Sequence, residues 1–198
     1  MTNRLGPPES GVPDLPRLPV RLLVLVGFMG AGKSSVGPVL GKRVGWQFLD
    51  LDSCIEAREG RSVPDLFVQG ESMFRQAEHR ALRWVLEQAT SEPTVLALGG
   101  GAFVQPENLN LIRSFGAISI FLDAPVEELW KRCCSESKGR PLMQDENQFR
   151  QLYASRRSSY MSSSLYVNTH AKEIQAIADE IVERVAHQLH SQGESGEA

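Results

Sequence analysis

The 198-residue chain carries 21 lysines and arginines against 24 aspartates and glutamates, which gives a net charge of −3, and 41% of its residues are hydrophobic. This length and apolar content predict one compact α/β domain with a sizeable core and argue against a second full domain. The small negative charge, without any dense run of Lys and Arg, argues against nucleic acid as a partner.

The cysteines and the hydropathy of the chain bear on its location. Cys54, Cys133 and Cys134 make a poor disulfide framework, because their number is odd and two of them are adjacent. We therefore expect free, partly buried thiols and a reducing, cytoplasmic location. No apolar run approaches the ~20 residues of a transmembrane helix, and the N-terminus lacks a signal-peptide core, so no membrane partner is expected.

In chain order, the first segment is a leader, residues 1–19, which holds five of the eleven prolines among Gly, Ser and Glu. Such a composition is typical of a disordered or extended segment. At the other end, residues 191–198 are polar and predict a frayed tail. Residues 20–190 are predicted to form a single domain.

Within that domain, strand-like apolar runs alternate with helical patterns. The predicted strands are Leu22 to Val26, Gln47 to Leu49, Thr94 to Leu98, Ala117 to Leu122 and Leu165 to Val167. One helix is predicted to begin after Ser62 as its N-cap, and the last helix shows Ile174, Ile177, Ile181, Val185 and Leu189 at helical spacing. The alternation predicts right-handed βαβ crossovers and a parallel sheet, with the site at the C-terminal ends of its strands.

A phosphate-binding loop follows the first predicted strand. Residues 27–34 read Gly-Phe-Met-Gly-Ala-Gly-Lys-Ser and match GxxxxGK[ST]. Successive backbone N–H groups are expected to converge on the β-phosphate of a bound nucleotide, with the Lys33 ammonium between the β- and γ-phosphates and the Ser34 hydroxyl on Mg²⁺. The predicted ATP-binding residues here are Gly30, Ala31, Gly32, Lys33, Ser34 and Ser35. The alternative, a plain glycine-rich turn, does not account for the apolar strand before the loop and the helical pattern after it.

Two carboxylates, Asp50 and Asp52, follow the second predicted strand. Two residues apart in extended backbone, they are expected to point the same way. Because two like charges on one side are costly, we expect one to face Mg²⁺ and the other a substrate hydroxyl. The alternative is that Asp52 only caps the helix that follows.

Three further clusters complete an ordered set of motifs. They are Phe-Arg-Gln-Ala-Glu at 74–78, Leu-Gly-Gly-Gly at 98–101 and Gly-Arg-Pro-Leu at 139–142. Each is weak alone, since an i, i+3 Arg–Glu pair is usually a surface ion pair and three glycines are usually a flexible loop. In this order, together with the phosphate loop and the Leu-Asp-Leu-Asp element, they resemble the shikimate kinase family from about residue 22 to 185.

The resemblance implies a fold and a reaction. The fold is a three-layer P-loop kinase with a five-stranded parallel sheet, helices on both faces and a mobile lid, and the protein is expected to be a monomer. The reaction transfers the γ-phosphoryl group of ATP to the 3-hydroxyl of shikimate, a step of aromatic amino acid biosynthesis. The implied partners are therefore ATP and shikimate, with Mg²⁺ as cofactor.

The resemblance also implies the residues that bind shikimate. Arg75 and Arg156 match the two arginines that hold the carboxylate, although Ser158-Ser159 replaces the Pro-Leu that the family has before Tyr160. A guanidinium can bind a carboxylate through two parallel hydrogen bonds, which an ammonium cannot. Glu78 is expected to orient Arg75. Gly99, Gly100 and Gly101 complete the set, and the last two are expected to let the backbone approach the ring where a β-carbon would collide.

For catalysis, Asp52 matches the residue that contacts the reacting hydroxyl, and Asp50 matches one that binds Mg²⁺, usually through water. Lys33 and Arg140 are expected to supply positive charge to the transferring phosphoryl group. Arg140 lies in a polar segment, about residues 135–147, that matches the lid. Arg132 is expected to contact the adenine.

Two other classes of function share parts of this pattern. A kinase for gluconate or a nucleoside monophosphate would have the same loop and sheet, but it does not require Asp52, Arg75, the three glycines and Arg156 together. A degenerate module that only binds nucleotide and a protein partner is the non-enzymatic alternative. The intact catalytic positions argue against it.

Overall fold

The computed structural model describes residues 20–135 and 145–194, with side chains as far as residue 191. Five parallel strands form one sheet in the order β2-β3-β1-β4-β5. The strands are β1 (Leu22–Val26), β2 (Gln47–Asp50), β3 (Thr94–Ala97), β4 (Ile118–Asp123) and β5 (Leu165–Asn168). The predicted α/β class, strands and parallel sheet are confirmed, and each strand end lies within one residue of its prediction.

Helices connect these strands. In the described ranges they are α1 (Lys33–Val44), α2 (Leu51–Glu59), α3 (Val63–Val68), α4 (Glu71–Ala89), α5 (Pro106–Ser114), α6 (Val126–Ser135), α7 (Glu146–Tyr160) and α8 (Ile174–Glu194). Ser62 caps α3 as predicted, because its side chain accepts a hydrogen bond from the Asp65 N–H at 3.3 Å.

The strand order assigns the helices to two faces of the sheet. The chain leaves β1 in one direction to reach the edge strand β2, and then returns through β3 and β4 to β5 in the other direction. Right-handed crossovers therefore put α1 on one face and the helices between β2 and β5 on the opposite face. Helix α8 packs against α1, which places it on the first face.

Three details differ from the sequence-based expectations or lie outside the described residues. Helix α8 continues to Glu194, four residues into the predicted tail, because extending a helix that is already packed costs little. All three cysteines are thiols, as expected, but Cys134 is exposed rather than partly buried. The predicted leader, residues 1–19, lies outside the described residues. Among the residues that the structure describes, no helix is long and apolar enough to cross a membrane.

The core brings the helix after the phosphate loop very close to the sheet. All five residues of β1 are buried. Gly37 of α1 lies directly over the ring of Phe48 in β2, and a β-carbon at this glycine would be 2.1 Å from the ring. The missing side chain therefore lets α1 pack tightly on β2, which sets the position of the loop at the N-terminus of α1.

This contact makes a prediction for stability. Gly→Ala inside a helix normally stabilises a protein by up to ~1 kcal/mol. We expect Gly37→Ala to lower the free energy of unfolding instead, by about 1–3 kcal/mol, because the methyl group overlaps a buried ring. Urea denaturation measures this change. In a Phe48→Ala background the added methyl group should cost much less, and an equal cost in both backgrounds would contradict the explanation.

Candidate active site

The phosphate loop joins the C-terminal end of β1 to the N-terminus of α1. Gly30 and Gly32 have φ angles of 77° and 89°, and Gly32 is the N-cap of α1, which begins at Lys33. Gly30 also permits close packing, because a β-carbon there would lie 2.8 Å from the Leu129 carbonyl oxygen. The predicted strand–loop–helix context is confirmed, and the positive end of α1 opens onto the loop.

Two side chains donate hydrogen bonds to carbonyl oxygens of this loop. Lys33 Nζ donates hydrogen bonds to the carbonyl oxygens of Gly27 and Phe28 at 2.9 and 3.0 Å, so its ammonium group lies beside the loop backbone. Arg132 on α6 donates to the Gly30 carbonyl at 3.2 Å and forms an ion pair with Glu128. The predicted contact of Arg132 with adenine remains a prediction.

The two carboxylates after β2 are arranged differently from the expectation. Asp50 is extended and is the N-cap of α2, whereas Asp52 lies inside that helix, so the expected extended pair with both side chains pointing the same way is wrong. The cause is local, because Asp50 Oδ1 accepts a hydrogen bond from the Asp52 N–H at 3.0 Å, so the helix begins at Leu51, two residues before a cap at Asp52 would start it. The capping residue is thus Asp50, rather than Asp52.

Asp50 also reaches the phosphate loop. Its Oδ2 accepts a hydrogen bond from the Ser34 hydroxyl at 2.9 Å, which joins the two predicted metal ligands. Among the described residues, no group of three or more His, Cys, Asp and Glu side chains could hold a metal ion. Mg²⁺ typically takes one or two protein oxygens together with phosphates and water, so the donor set of Ser34 and Asp50 fits this ion.

The three glycines after β3 face three charged side chains in turn. A β-carbon at Gly99 would lie 2.6 Å from Asp52 Oδ1, and one at Gly101 would lie 2.6 Å from Arg75 Nη2. At Gly100 the nearest atom would be Arg156 Nη1, at 3.6 Å. The structure therefore brings the predicted shikimate-binding residues together at one edge of the sheet, around a backbone that carries no side chains.

Arg75 is held in place by carboxylates on its own helix. Its Nη1 donates to both oxygens of Glu78, at 3.1 and 2.9 Å, and its Nη2 donates to Glu71 at 3.2 Å. The expectation that Glu78 orients Arg75 thus has the required contact. Glu78 is buried, and this burial raises the pKa of its carboxyl above the ordinary value, although the Arg75 guanidinium acts in the opposite direction.

Several residues that support the site were not predicted to do so. The guanidinium carbon of Arg156 lies 5.9 Å above the ring of Phe28, a buried residue of the phosphate loop. The Tyr160 hydroxyl donates to the Gly100 carbonyl, and burial raises the pKa of Tyr160 to about 12, so this donor keeps its proton. The sequence pairs Arg156 and Tyr160 at i, i+4, which was the available signal that they share a helix face.

A buried amide links the glycine segment to α4. Asn108 Nδ2 donates to the Ala102 carbonyl at 3.1 Å, while Asn108 Oδ1 lies 2.7 Å from His79 Nδ1 on α4. His79 is thus part of a hydrogen-bonding network. Arg140 and residues 136–144 of the predicted lid lie outside the described residues.

These features define the class of protein. A phosphate loop opens α1 on a five-stranded parallel sheet, and beside it an aspartate and two arginines surround a glycine segment. This combination is that of a P-loop kinase that acts on a small molecule.

Comparison with known proteins identifies the family. The shikimate kinase family model matches residues 29–186. The chain is 35% identical over 184 residues to a shikimate kinase of Thermus thermophilus, an alignment that covers 91% of this chain and 97% of the relative. It is 38% identical over 166 residues to that of Geobacter metallireducens, covering 82% and 90%.

A solved structure agrees with these relatives. The shikimate kinase from Acinetobacter baumannii in complex with shikimate superposes with a TM-score of 0.79 at 31% identity, over 86% of this chain and 96% of that one. The chain belongs to the shikimate kinase family.

The raised pKa of Glu78 predicts a pH dependence of stability. Its native pKa lies above the unfolded value, so in the window between the two the native state binds more protons than the unfolded state. We expect the contribution of Glu78 to stability to be fully present below the unfolded pKa and to be lost as pH rises through the native pKa. Chemical denaturation of the wild type and Glu78→Gln across this window measures it. A wild-type advantage that grows with pH would contradict the sign.

Proposed function

We propose that the protein transfers the γ-phosphoryl group of ATP to the 3-hydroxyl of shikimate. The bond between the 3-oxygen and the γ-phosphorus forms, the bond from that phosphorus to the β,γ-bridging oxygen of ATP breaks, and ADP leaves. The hydroxyl proton goes to a base on the protein. The observation that carries this proposal is that Asp52, Arg156 and Arg75 each approach the position where Gly99, Gly100 and Gly101, respectively, lack a β-carbon.

Recognition of the acceptor rests on the two arginines. Shikimate has one carboxylate and three hydroxyl groups, so its site needs a cationic clamp and oxygen acceptors. Arg75, whose side chain is 18% exposed, is already fixed by Glu78, so little side-chain entropy is lost when it binds a carboxylate. Arg156 would approach from α7, on the other side of the glycine segment.

Recognition of ATP rests on the loop and the N-terminus of α1. Backbone N–H groups and Lys33 would bind the β- and γ-phosphates. Ser34 and Asp50 would hold Mg²⁺, with Asp50 acting through water. When bound, this ion neutralises charge that develops on the phosphate oxygens. Arg140 remains a predicted contributor from the segment outside the described residues.

Asp52 is the proposed base. Its carboxylate lies against Gly99 at the same edge of the sheet as the loop. In that position it would orient the attacking hydroxyl and accept its proton. In phosphoryl transfer the protein acts mainly through positioning and charge, so a single carboxylate is sufficient for this role.

Coupled turnover tests the proposal directly. ADP release from ATP and Mg²⁺ should depend on added shikimate, and gluconate and nucleoside monophosphates should not replace it. A faster reaction with one of those acceptors would reject shikimate as the substrate. Nucleotide binding without any acceptor-dependent turnover would favour the non-enzymatic alternative.

The clamp predicts an effect on the Michaelis constant. Arg75→Lys should raise the shikimate KM by about 10-fold or more and change kcat less, because an ammonium cannot form the two parallel hydrogen bonds. Steady-state kinetics against shikimate at saturating ATP measures this. Arg80→Lys is the matched control, since Arg80 is on the same helix and pairs with Glu59 at the surface. Normal shikimate binding in Arg75→Lys would remove Arg75 from the clamp.

The two aspartates should respond differently to the same change. Asp52→Asn should lower kcat by roughly 10²–10⁴-fold and leave nucleotide binding intact, because it loses the base. Asp50→Asn should raise the Mg²⁺ requirement and be partly rescued at high Mg²⁺, since the lost contact is with the ion. Asn is as good an N-cap as Asp, so the second change keeps α2 capped. Titration of Mg²⁺ against activity in both variants measures the difference, and full rescue of Asp52→Asn alone would invert the assignment.

A further inference from the structure

A buried carboxylate at the end of β4 has no part in the reaction proposed above. Asp123 is only 4% exposed. Its Oδ1 accepts hydrogen bonds from the Tyr153 hydroxyl at 2.8 Å and from the Ala124 N–H at 3.1 Å, and its Oδ2 accepts from Arg157 Nη2 at 3.0 Å. A buried carboxylate costs free energy unless it is paired and hydrogen-bonded, and these contacts meet that requirement.

Its partners hold one face of α7. Tyr153 and Arg157 are four residues apart, so they lie on the same face of the helix, and Arg157 Nε donates to the Tyr153 hydroxyl at 3.1 Å. Carboxylate, phenol and guanidinium thus close a three-membered hydrogen-bonded cluster. The pKa of Tyr153 is raised to about 12 by burial and by this hydrogen bond to Asp123, so the hydroxyl stays a donor.

The cluster is coupled to the active site by the helix itself. Arg156 is the residue before Arg157, so it projects from α7 at about 100° from it. Any rotation of α7 about its axis therefore moves both side chains together. Arg156 lies over the Phe28 ring, and the Tyr153 ring packs edge-on against the same ring, with 5.5 Å between ring centroids.

The backbone at the end of β4, which carries this cluster, is itself held by hydrogen bonds. The Asp123 carbonyl oxygen accepts hydrogen bonds from the Thr169 N–H and hydroxyl, at 2.7 and 3.1 Å, which ties β4 to the segment after β5. Phe121 of β4 is paired with Val26, the last residue of β1 before the phosphate loop. The ion pair between Arg157 of α7 and Asp123 therefore fixes the position of the helix relative to β4 and to β1, the strand that leads into the phosphate loop.

We propose that Asp123 is a positioning residue for substrate binding: through Tyr153 and Arg157 it sets the rotation of α7 and so holds Arg156 toward the glycine segment. This inference rests on the proposed role of Arg156 in binding shikimate. Asp123 itself touches neither substrate. Its effect is expected on the carboxylate clamp, and its backbone contacts to Thr169 do not depend on its side chain.

The test compares both ends of the cluster. Asp123→Asn keeps the shape and removes the charge, while Arg157→Gln and Tyr153→Phe disturb the same cluster from the half-buried side of α7. We expect Asp123→Asn and Arg157→Gln each to raise the shikimate KM by about 5- to 20-fold and the ATP KM by less than about twofold, with a smaller rise for Arg157→Lys, which keeps a cation. The double variant Asp123→Asn with Arg157→Gln should be no worse than either single variant.

A control variant and a binding measurement distinguish a specific effect of the Asp123 cluster from the general effect of removing a charge from α7. Arg150→Gln removes a surface ion-pair residue from the same helix and should leave the shikimate KM unchanged. If Asp123→Asn does not fold, Arg157→Gln and Tyr153→Phe decide the question. A normal shikimate KM in the folded variants, or equal changes in both Michaelis constants, would overturn the inference. Calorimetric titration of shikimate in the absence of ATP measures binding without turnover. A wild type that binds shikimate but does not phosphorylate it would reject the proposed kinase reaction and leave the inference about Asp123 standing.

Discussion

The phosphate loop, the two aspartates and the glycine segment of this site meet because the parallel strands end at one edge of the sheet. Strand β1 ends at the phosphate loop, β2 at Asp50, β3 at Ala97, two residues before the first of the three glycines, and β4 at Asp123. Antiparallel neighbours would have sent half of these ends to the opposite edge. The parallel order β2-β3-β1-β4-β5 is therefore the constraint on which phosphate binding, acceptor binding and the anchor of α7 all depend.

At that edge of the sheet, ion pairs with buried carboxylates fix the positions of two arginine side chains. Arg75, which we propose binds the substrate carboxylate, already forms an ion pair with the buried Glu78. Loss of one partner of a buried ion pair typically costs about 3–5 kcal/mol, because the other charge remains without compensation. The pair thus fixes the direction of the guanidinium before the substrate arrives. Asp123 and Arg157 do the same on α7, where the cation that is held lies next to the one that would bind substrate.

The sequence-based predictions agree with the structure where a feature depends only on neighbouring residues. The phosphate loop and all five strands were predictable, because each is signalled by a short continuous segment: a motif for the loop and an apolar run for the strands. The pair Asp50 and Asp52 shows the limit of this approach. Their position at the end of a predicted strand suggested extended backbone for both. Instead, Asp50 caps α2 by accepting a hydrogen bond from the Asp52 N–H, and the two carboxylates lie beside Ser34 and Gly99, respectively.

The sequence by itself determined the phosphate-binding loop, the parallel α/β class and the family, since these depend on ordered motifs that neighbouring residues carry. Only the tertiary structure decided which glycine faces which charge, and that Asp123 meets Tyr153 and Arg157, 30 and 34 residues further along the chain. Such contacts depend on the rotation of a helix about its axis and on its packing against the sheet. That rotation depends on contacts between residues that lie far apart in the sequence, and no local pattern of residues encodes it.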